Sequence, residues 1–163
     1  MAKIISTIKN LSLHQVAQLI ELCGENVSVY AKGEPGCGKS SLLPMLAEQN
    51  GDQWRKGGDV YPNDKFRYIY VDCPLIDLPD FAMPYVEAGV THYAPSALWG
   101  FSDPRPKVIM FDEVSKAPNV TKPMFTRAIL ERCIGEFPFA AGTRVFATGN
   151  LASDGVGDSM QGH

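Results

Sequence analysis

No apolar run in this sequence approaches the roughly 18 residues that would span a bilayer. The opening Met-Ala-Lys-Ile-Ile-Ser also lacks the apolar stretch and cleavage site of a secretory signal. The expectation is a cytoplasmic protein that inserts into no membrane. Cysteine is scarce, and positions 23, 37, 73 and 133 form no C-x-x-C pair. That argues against a zinc site or a disulfide framework and suits a reducing compartment. Basic charge is not in excess: 15 Lys and Arg stand against 18 Asp and Glu, for a formal net charge of -3. The composition therefore carries no nucleic-acid footprint. The histidines, His14, His92 and His163, are scattered and read as ordinary surface or packing residues. There is no internal repeat and no low-complexity tract. What is present is a chain of 163 residues, 45% hydrophobic and 20% charged, enough for one globular domain with a sizeable core.

Within it, Gly33-Glu34-Pro35-Gly36-Cys37-Gly38-Lys39-Ser40 matches the phosphate-binding pattern G-x-x-x-x-G-K-[ST] in full. Each residue type has a mechanical reason. Gly33, Gly36 and Gly38 allow tight turns and bring backbone N–H groups close to a phosphate chain. Lys39 supplies a mobile point charge for the outer phosphates, and the Ser40 hydroxyl is suited to ligate Mg²⁺. The following helix points its positive end at the same anion. The predicted nucleotide contacts run from Gly33 through Glu34, Pro35 and Cys37 to Ser40 and Ser41. Cys37 is either an oxidation-sensitive thiol or simply a small residue at a permissive position.

The flanks fit. Residues 26–31 alternate β-branched or aromatic with small side chains and read as a buried strand. After Ser40, Leu42, Leu43, Leu46 and Ala47 recur at helical spacing, with Pro44 in the first two turns, where a missing N–H is less costly. Upstream, residues 12–23 form an amphipathic pattern with Leu13, Val16, Ala17 and Ile20 on one face. Ser12 and Gln15 have capping-box spacing, and Gly24 supplies the stop. Residues 50–64 read as a surface loop, 66–72 and 144–148 as strands, and 107–112 as a strand buried on both faces. Residues 119–134 read as a helix with Val120, Phe125, Ala128 and Ile129 inward, ended by Gly135. Strands alternating with helices imply an α/β fold with a mostly parallel sheet.

Residues 74–106 interrupt this pattern and hold six of the twelve prolines. Within them, 83–87 and 90–94 flank Ala88-Gly89 and resemble a β-hairpin. The aromatics Tyr85, Tyr93, Trp99 and Phe101 either contact a partner or pack the insertion onto its own domain.

The strand at 107–112 ends in Asp112-Glu113. In a parallel sheet, ligands bind at the carboxyl ends of strands, so both carboxylates emerge beside the phosphates. Asp112 is suited to hold Mg²⁺ opposite Ser40, and Glu113 to accept a proton from the attacking water. Asn150, at the end of the last strand, is either a turn residue or the amide that orients that water.

Taken in order, these features resemble the AAA+ ATPases, and more closely their MoxR and dynein-related branch. The likeness rests on residues 33–40, on Phe111-Asp-Glu-Val-Ser-Lys-Ala117, on Ile129-Leu-Glu-Arg132 and on Val145-Phe-Ala-Thr-Gly-Asn150. It covers the chain from the leading helix to about Asn150, including the hairpin. It implies a P-loop NTPase fold of three layers, α/β/α, with Walker A at 33–40, Walker B at Asp112-Glu113 and a sensor-1 residue at Asn150. ATP and Mg²⁺ are the implied ligands. A ring, usually a hexamer, a remodelled protein substrate and a von Willebrand A-type partner are implied as well. Catalytic roles would fall to Lys39, Glu113 and Asn150.

Family members continue into an arginine finger, a fifth strand and a small helical lid. Arg127, Arg132 and Arg144 do not match the finger position, so the expectation for residues 1–163 is the large nucleotide-binding subdomain of a longer protein. A second reading is a nucleotide-gated binding module without turnover of its own. A GTPase is disfavoured, since no Asn-Lys-x-Asp motif occurs.

Overall fold

Strand-forming runs rich in Val, Ile, Tyr and Phe build the centre of the molecule, and amphipathic helices cover both faces. The structure, a computed structural model, describes residues 10–52 and 65–151. In chain order it has helix α1 (Leu13–Cys23), strand β1 (Val29–Gly33), a 3-10 turn over Lys39–Ser41, helix α2 (Leu42–Gln49) and strand β2 (Arg67–Asp72). The hairpin β3 (Ala82–Glu87) and β4 (Val90–Pro95) follows, then strand β5 (Lys107–Asp112) and helix α3 (Lys122–Glu131). A short hairpin, β6 (Cys133–Ile134) with β7 (Phe137–Pro138), leads into β8 (Arg144–Asn150).

The central sheet has four strands in the order β1-β8-β5-β2, and every pairing is parallel. Helices α1 and α2 cover one face, with Ile20, Leu42, Leu43 and Leu46 against Tyr68, Val108, Met110 and Phe146. On the other face, Phe125 and Ala128 of α3 pack with Trp99 and Phe81 against Ile69, Ile109, Phe111 and Val145. This is the expected three-layer α/β/α arrangement around a parallel sheet. As the hydrophobic run predicts, every residue of β5 is buried. No helix among the described residues is long and apolar enough to cross a membrane.

The expected capping box is present at α1: Ser12 N donates to Gln15 Oε1 at 2.9 Å, and Gln15 N to Ser12 Oγ at 3.2 Å. Ser12→Ala should lower stability by about 1 kcal/mol, because one N–H of the first turn loses its acceptor. A denaturant melt checks this, and an unchanged midpoint would deny the cap its role. Gly24 ends α1 as expected, and a Cβ there would lie 2.4 Å from the carbonyl oxygen of Ile20.

Three expectations need correction. The strand read at 26–31 begins later, at Val29, because Asn26 and Val27 both donate to Cys23 O in the turn after α1. That strand is also not buried: among the described residues β1 pairs only with β8, so its side chains alternate between half-buried and exposed. The helix read at 119–134 spans only Lys122–Glu131. Thr121 and Lys122 donate to Pro118 O in a preceding turn, Pro123 opens the helix, and Arg132 in the left-handed region closes it. Gly135 instead turns the β6–β7 hairpin. Val120 therefore lies outside the helix, 60% exposed, whereas Phe125 and Ala128 are buried and Ile129 packs at the edge of the core.

In the insertion, the hairpin forms where expected, and Ala88 and Gly89 both take positive φ, as a two-residue primed turn requires. Its aromatics divide. Trp99 is fully buried, stacked on Phe81 with ring centroids 5.5 Å apart, and its Nε1 donates to Asp80 O. Phe101 packs on Phe137 and Phe139. Tyr85 and Tyr93 remain exposed. Of the loop read at 50–64, residues 53–64 lie outside the described residues. Asp52 is buried at its start, accepting from the Tyr68 hydroxyl and from Lys65 N.

Candidate nucleotide-binding site

Because the four central strands are parallel, their carboxyl ends share one edge of the sheet. Gly33 at the end of β1 pairs with Asn150 at the end of β8. Asp72 at the end of β2 pairs with Asp112 at the end of β5. The β5–β8 register runs to Phe111 opposite Ala147, which sets Asp112 level with Thr148. Side-chain alternation then sorts the edge by face. Asp112 and Thr148 have the parity of Met110 and Phe146, which pack against α1 and α2. Glu113 has the opposite parity and takes φ 53, turning the chain away from the strand.

The loop between β1 and α2 is bent by Gly36 and Gly38, at φ 77 and 85. Side chains are excluded from its concave side at Gly33, where a Cβ would fall 2.9 Å from Cys37 Sγ and 3.8 Å from Lys39 Nζ. The Lys39 ammonium curls back into this concavity and donates to Gly33 O at 2.9 Å and Glu34 O at 2.8 Å. Glu34, Pro35, Gly36 and Cys37 are exposed along the loop, as is Ser40 at its end. Ser41 Oγ donates to Gly38 O at 2.6 Å, which ties the 3-10 turn to the loop. Pro44 is the third residue of α2, so its missing N–H removes no bond within the helix. A Cβ at Gly38 would come within 3.2 Å of Leu13 Cδ1 at the start of α1.

Asp112 is buried, and both carboxylate oxygens accept hydroxyl donors from neighbouring strands. The Tyr70 hydroxyl of β2 donates to Oδ2 at 2.7 Å, and the Thr148 hydroxyl of β8 donates to Oδ1. Burial first, then the bond to Asp112, raises the Tyr70 pKa well above its ordinary value, so this phenol remains a donor at neutral pH. Thr148 Oγ1 in turn accepts from Glu113 N at 3.2 Å. The Glu113 carboxylate is half-exposed and paired with Lys116 Nζ at 2.6 Å. Asn150 is half-exposed at the strand end, and the exposed Tyr30 ring lies over the preceding Gly149.

The predicted residues thus gather on one edge. Tyr70, Thr148 and Lys116, which also belong to this edge, were missed. The available signal was parity: Thr148 lies two residues before Asn150, and Tyr70 two before the Asp72 that pairs with Asp112. The three arginines that sequence left without a catalytic role are engaged elsewhere. Arg132 donates to Gly24 O and Thr143 O, Arg144 bonds Glu21, and Arg127 pairs with Glu131.

A glycine-shaped concavity with an ammonium inside it suits a polyphosphate, and exposed hydroxyl with carboxylate oxygens suits a hard divalent cation. No family model matches the chain, and no curated protein matches it. Among solved structures it is similar to a candidate ATPase from Cytophaga hutchinsonii, at 19% identity and a TM-score of 0.46, covering 86% of this chain and 39% of that one. It is also similar to NtrX from Brucella abortus, at 17% identity and a TM-score of 0.47, covering 90% of this chain and 32% of that one. The chain therefore spans well under half the length of either. At these identities and TM-scores the likeness lends no weight to a function.

Proposed function

We propose that this chain is a Mg²⁺-dependent ATP-binding and ATP-hydrolysing module of the AAA+ type. The observation that carries this reading is the shared edge: Gly33, Asp112 and Asn150 all end parallel strands there, with the Lys39 ammonium held inside the loop that follows Gly33. The backbone of residues 33–40 and the start of the following helix would cradle the phosphates, with Lys39 neutralising the outer ones. Ser40 and Asp112 would hold Mg²⁺, which supplies charge neutralisation at the transferring phosphoryl group. Glu113 takes the proton of the attacking water, and Asn150 orients that water. Most of the rate enhancement then comes from positioning and fixed charge.

By the same motifs we assign the module to the MoxR and dynein-related branch. It would act within a longer protein that assembles as a ring, usually a hexamer, and remodels a protein partner, for which a von Willebrand A-type protein is the candidate. A second reading is a nucleotide-gated binding module without turnover of its own, favoured by the engagement of Arg127, Arg132 and Arg144 in contacts away from this edge.

Calorimetry of the 163-residue chain with ATP and Mg²⁺, followed by a phosphate-release assay, tests both. Saturable binding of one ATP per chain supports the site, and release of many phosphates per chain supports hydrolysis. Binding with no release beyond one turnover favours the gated module. Failure to bind ATP or ADP, with or without Mg²⁺, overturns the assignment.

A further inference from the structure

We propose that Tyr70 is a positioning residue that aims the Asp112 carboxylate at the metal of a bound nucleotide. The inference rests on the reading of Asp112 as a Mg²⁺ ligand. Asp112 stands at the end of a fully buried strand and is itself buried, so water is largely unavailable to orient its carboxylate. Orientation must come from the protein, and both flanking strands provide it. Thr148, level with Asp112 on β8, reaches Oδ1 directly. On the other side, the residue level with Asp112 is Asp72, which has no hydrogen to donate when ionised. The donor comes instead from two residues earlier. In parallel strands the side chains lean along the strand, and the phenol of Tyr70 is long enough to bring its hydroxyl to 2.7 Å from Oδ2.

Each Asp112 oxygen therefore spends one acceptor site on a hydroxyl and keeps the other for an incoming ligand. With both oxygens held, the plane of the carboxylate is set before any cation arrives. No shorter donor at position 70 would span that distance, which gives a reason for a tyrosine at a place where packing alone would accept phenylalanine. Outer-shell partners of this kind typically change metal affinity by about 10–100-fold when removed.

The test is Tyr70→Phe, which keeps the ring and its packing and removes only the hydroxyl. Mn²⁺ is titrated into the 163-residue chain with ADP, followed by the electron paramagnetic resonance of bound Mn²⁺. The affinity for ADP is measured separately in EDTA. The expected result is a weaker Mn²⁺ half-saturation by about tenfold, with the metal-free ADP affinity unchanged. That split is something a merely structural role would not produce. If Mn²⁺ half-saturation in Tyr70→Phe equals wild type, the positioning role is overturned while the nucleotide site stands. Equal weakening of the metal-free and metal-bound affinities overturns it too, since loss of fold explains both. If the wild-type chain binds ADP but Mn²⁺ does not join the complex, both this role and the assignment of Asp112 fall.

Discussion

Replacing Lys39 with alanine is expected to lower the affinity for ATP by at least about 100-fold. A charge-assisted hydrogen bond is worth about 1.5–3 kcal/mol, and an ammonium on the outer phosphates makes more than one. A 100-fold loss corresponds to about 2.7 kcal/mol, just under the roughly 3 kcal/mol that two such bonds give at the low end. The resting geometry explains why stability should move far less. Lys39 Nζ bonds Gly33 O and Glu34 O, which lie in a half-exposed to exposed loop where water can replace it. The same two bonds must be exchanged when a phosphate chain arrives, so part of the gross binding energy goes into freeing the ammonium. Calorimetry with ATP, run beside a thermal melt, separates the two effects. Wild-type affinity in Lys39→Ala would remove this residue from the site.

Glu113→Gln should slow phosphate release by about 10²–10⁴-fold, the usual contribution of a general base, while ATP still binds. Glutamine has the size of glutamate and still accepts a hydrogen bond at its carbonyl oxygen, but it cannot take up the proton. The substitution also dissolves the ion pair with Lys116. Both partners are well exposed, at 39% and 53% of the side-chain surface, so that loss is worth less than about 1 kcal/mol and does not confuse the reading. Unchanged turnover in Glu113→Gln would deny Glu113 the role of base and direct the search to another group on the same edge. Because Glu113 has the parity opposite to Asp112, the two substitutions should also differ in kind. Changes at Glu113 affect turnover, and changes around Asp112 affect the metal.

Much of the candidate site was legible in the chain because its signals are local. The pattern at 33–40 specifies a loop geometry through its glycines, and Gly36 and Gly38 adopt the positive φ that it requires. The capping pair Ser12 and Gln15 is a contact three residues apart, so spacing alone predicts it. The continuous apolar run at β5 predicts a strand covered on both faces. Where sequence failed, the deciding interaction was either distant or a local turn that competed with the apparent periodicity. The strand at 26–31 reads as buried by composition, yet exposure of β1 depends on which strands lie beside it. Cys133 and Ile134 continue a helical pattern, but their pairing with Phe137 and Pro138 draws them into a hairpin.

What the sequence determined by itself is the glycine-bent loop at 33–40, the alternation of the main strands with helices, and the carboxylates at the end of β5. Each follows from residue types a few positions apart. Tertiary structure alone decided that Asp112 is gripped by hydroxyls from residues 42 and 36 positions away. It decided likewise that Trp99 belongs to the core while Tyr85 and Tyr93 face solvent. The physical reason is register. Local preferences set where a strand runs, but which side chains meet across a parallel sheet depends on how strands distant in sequence align.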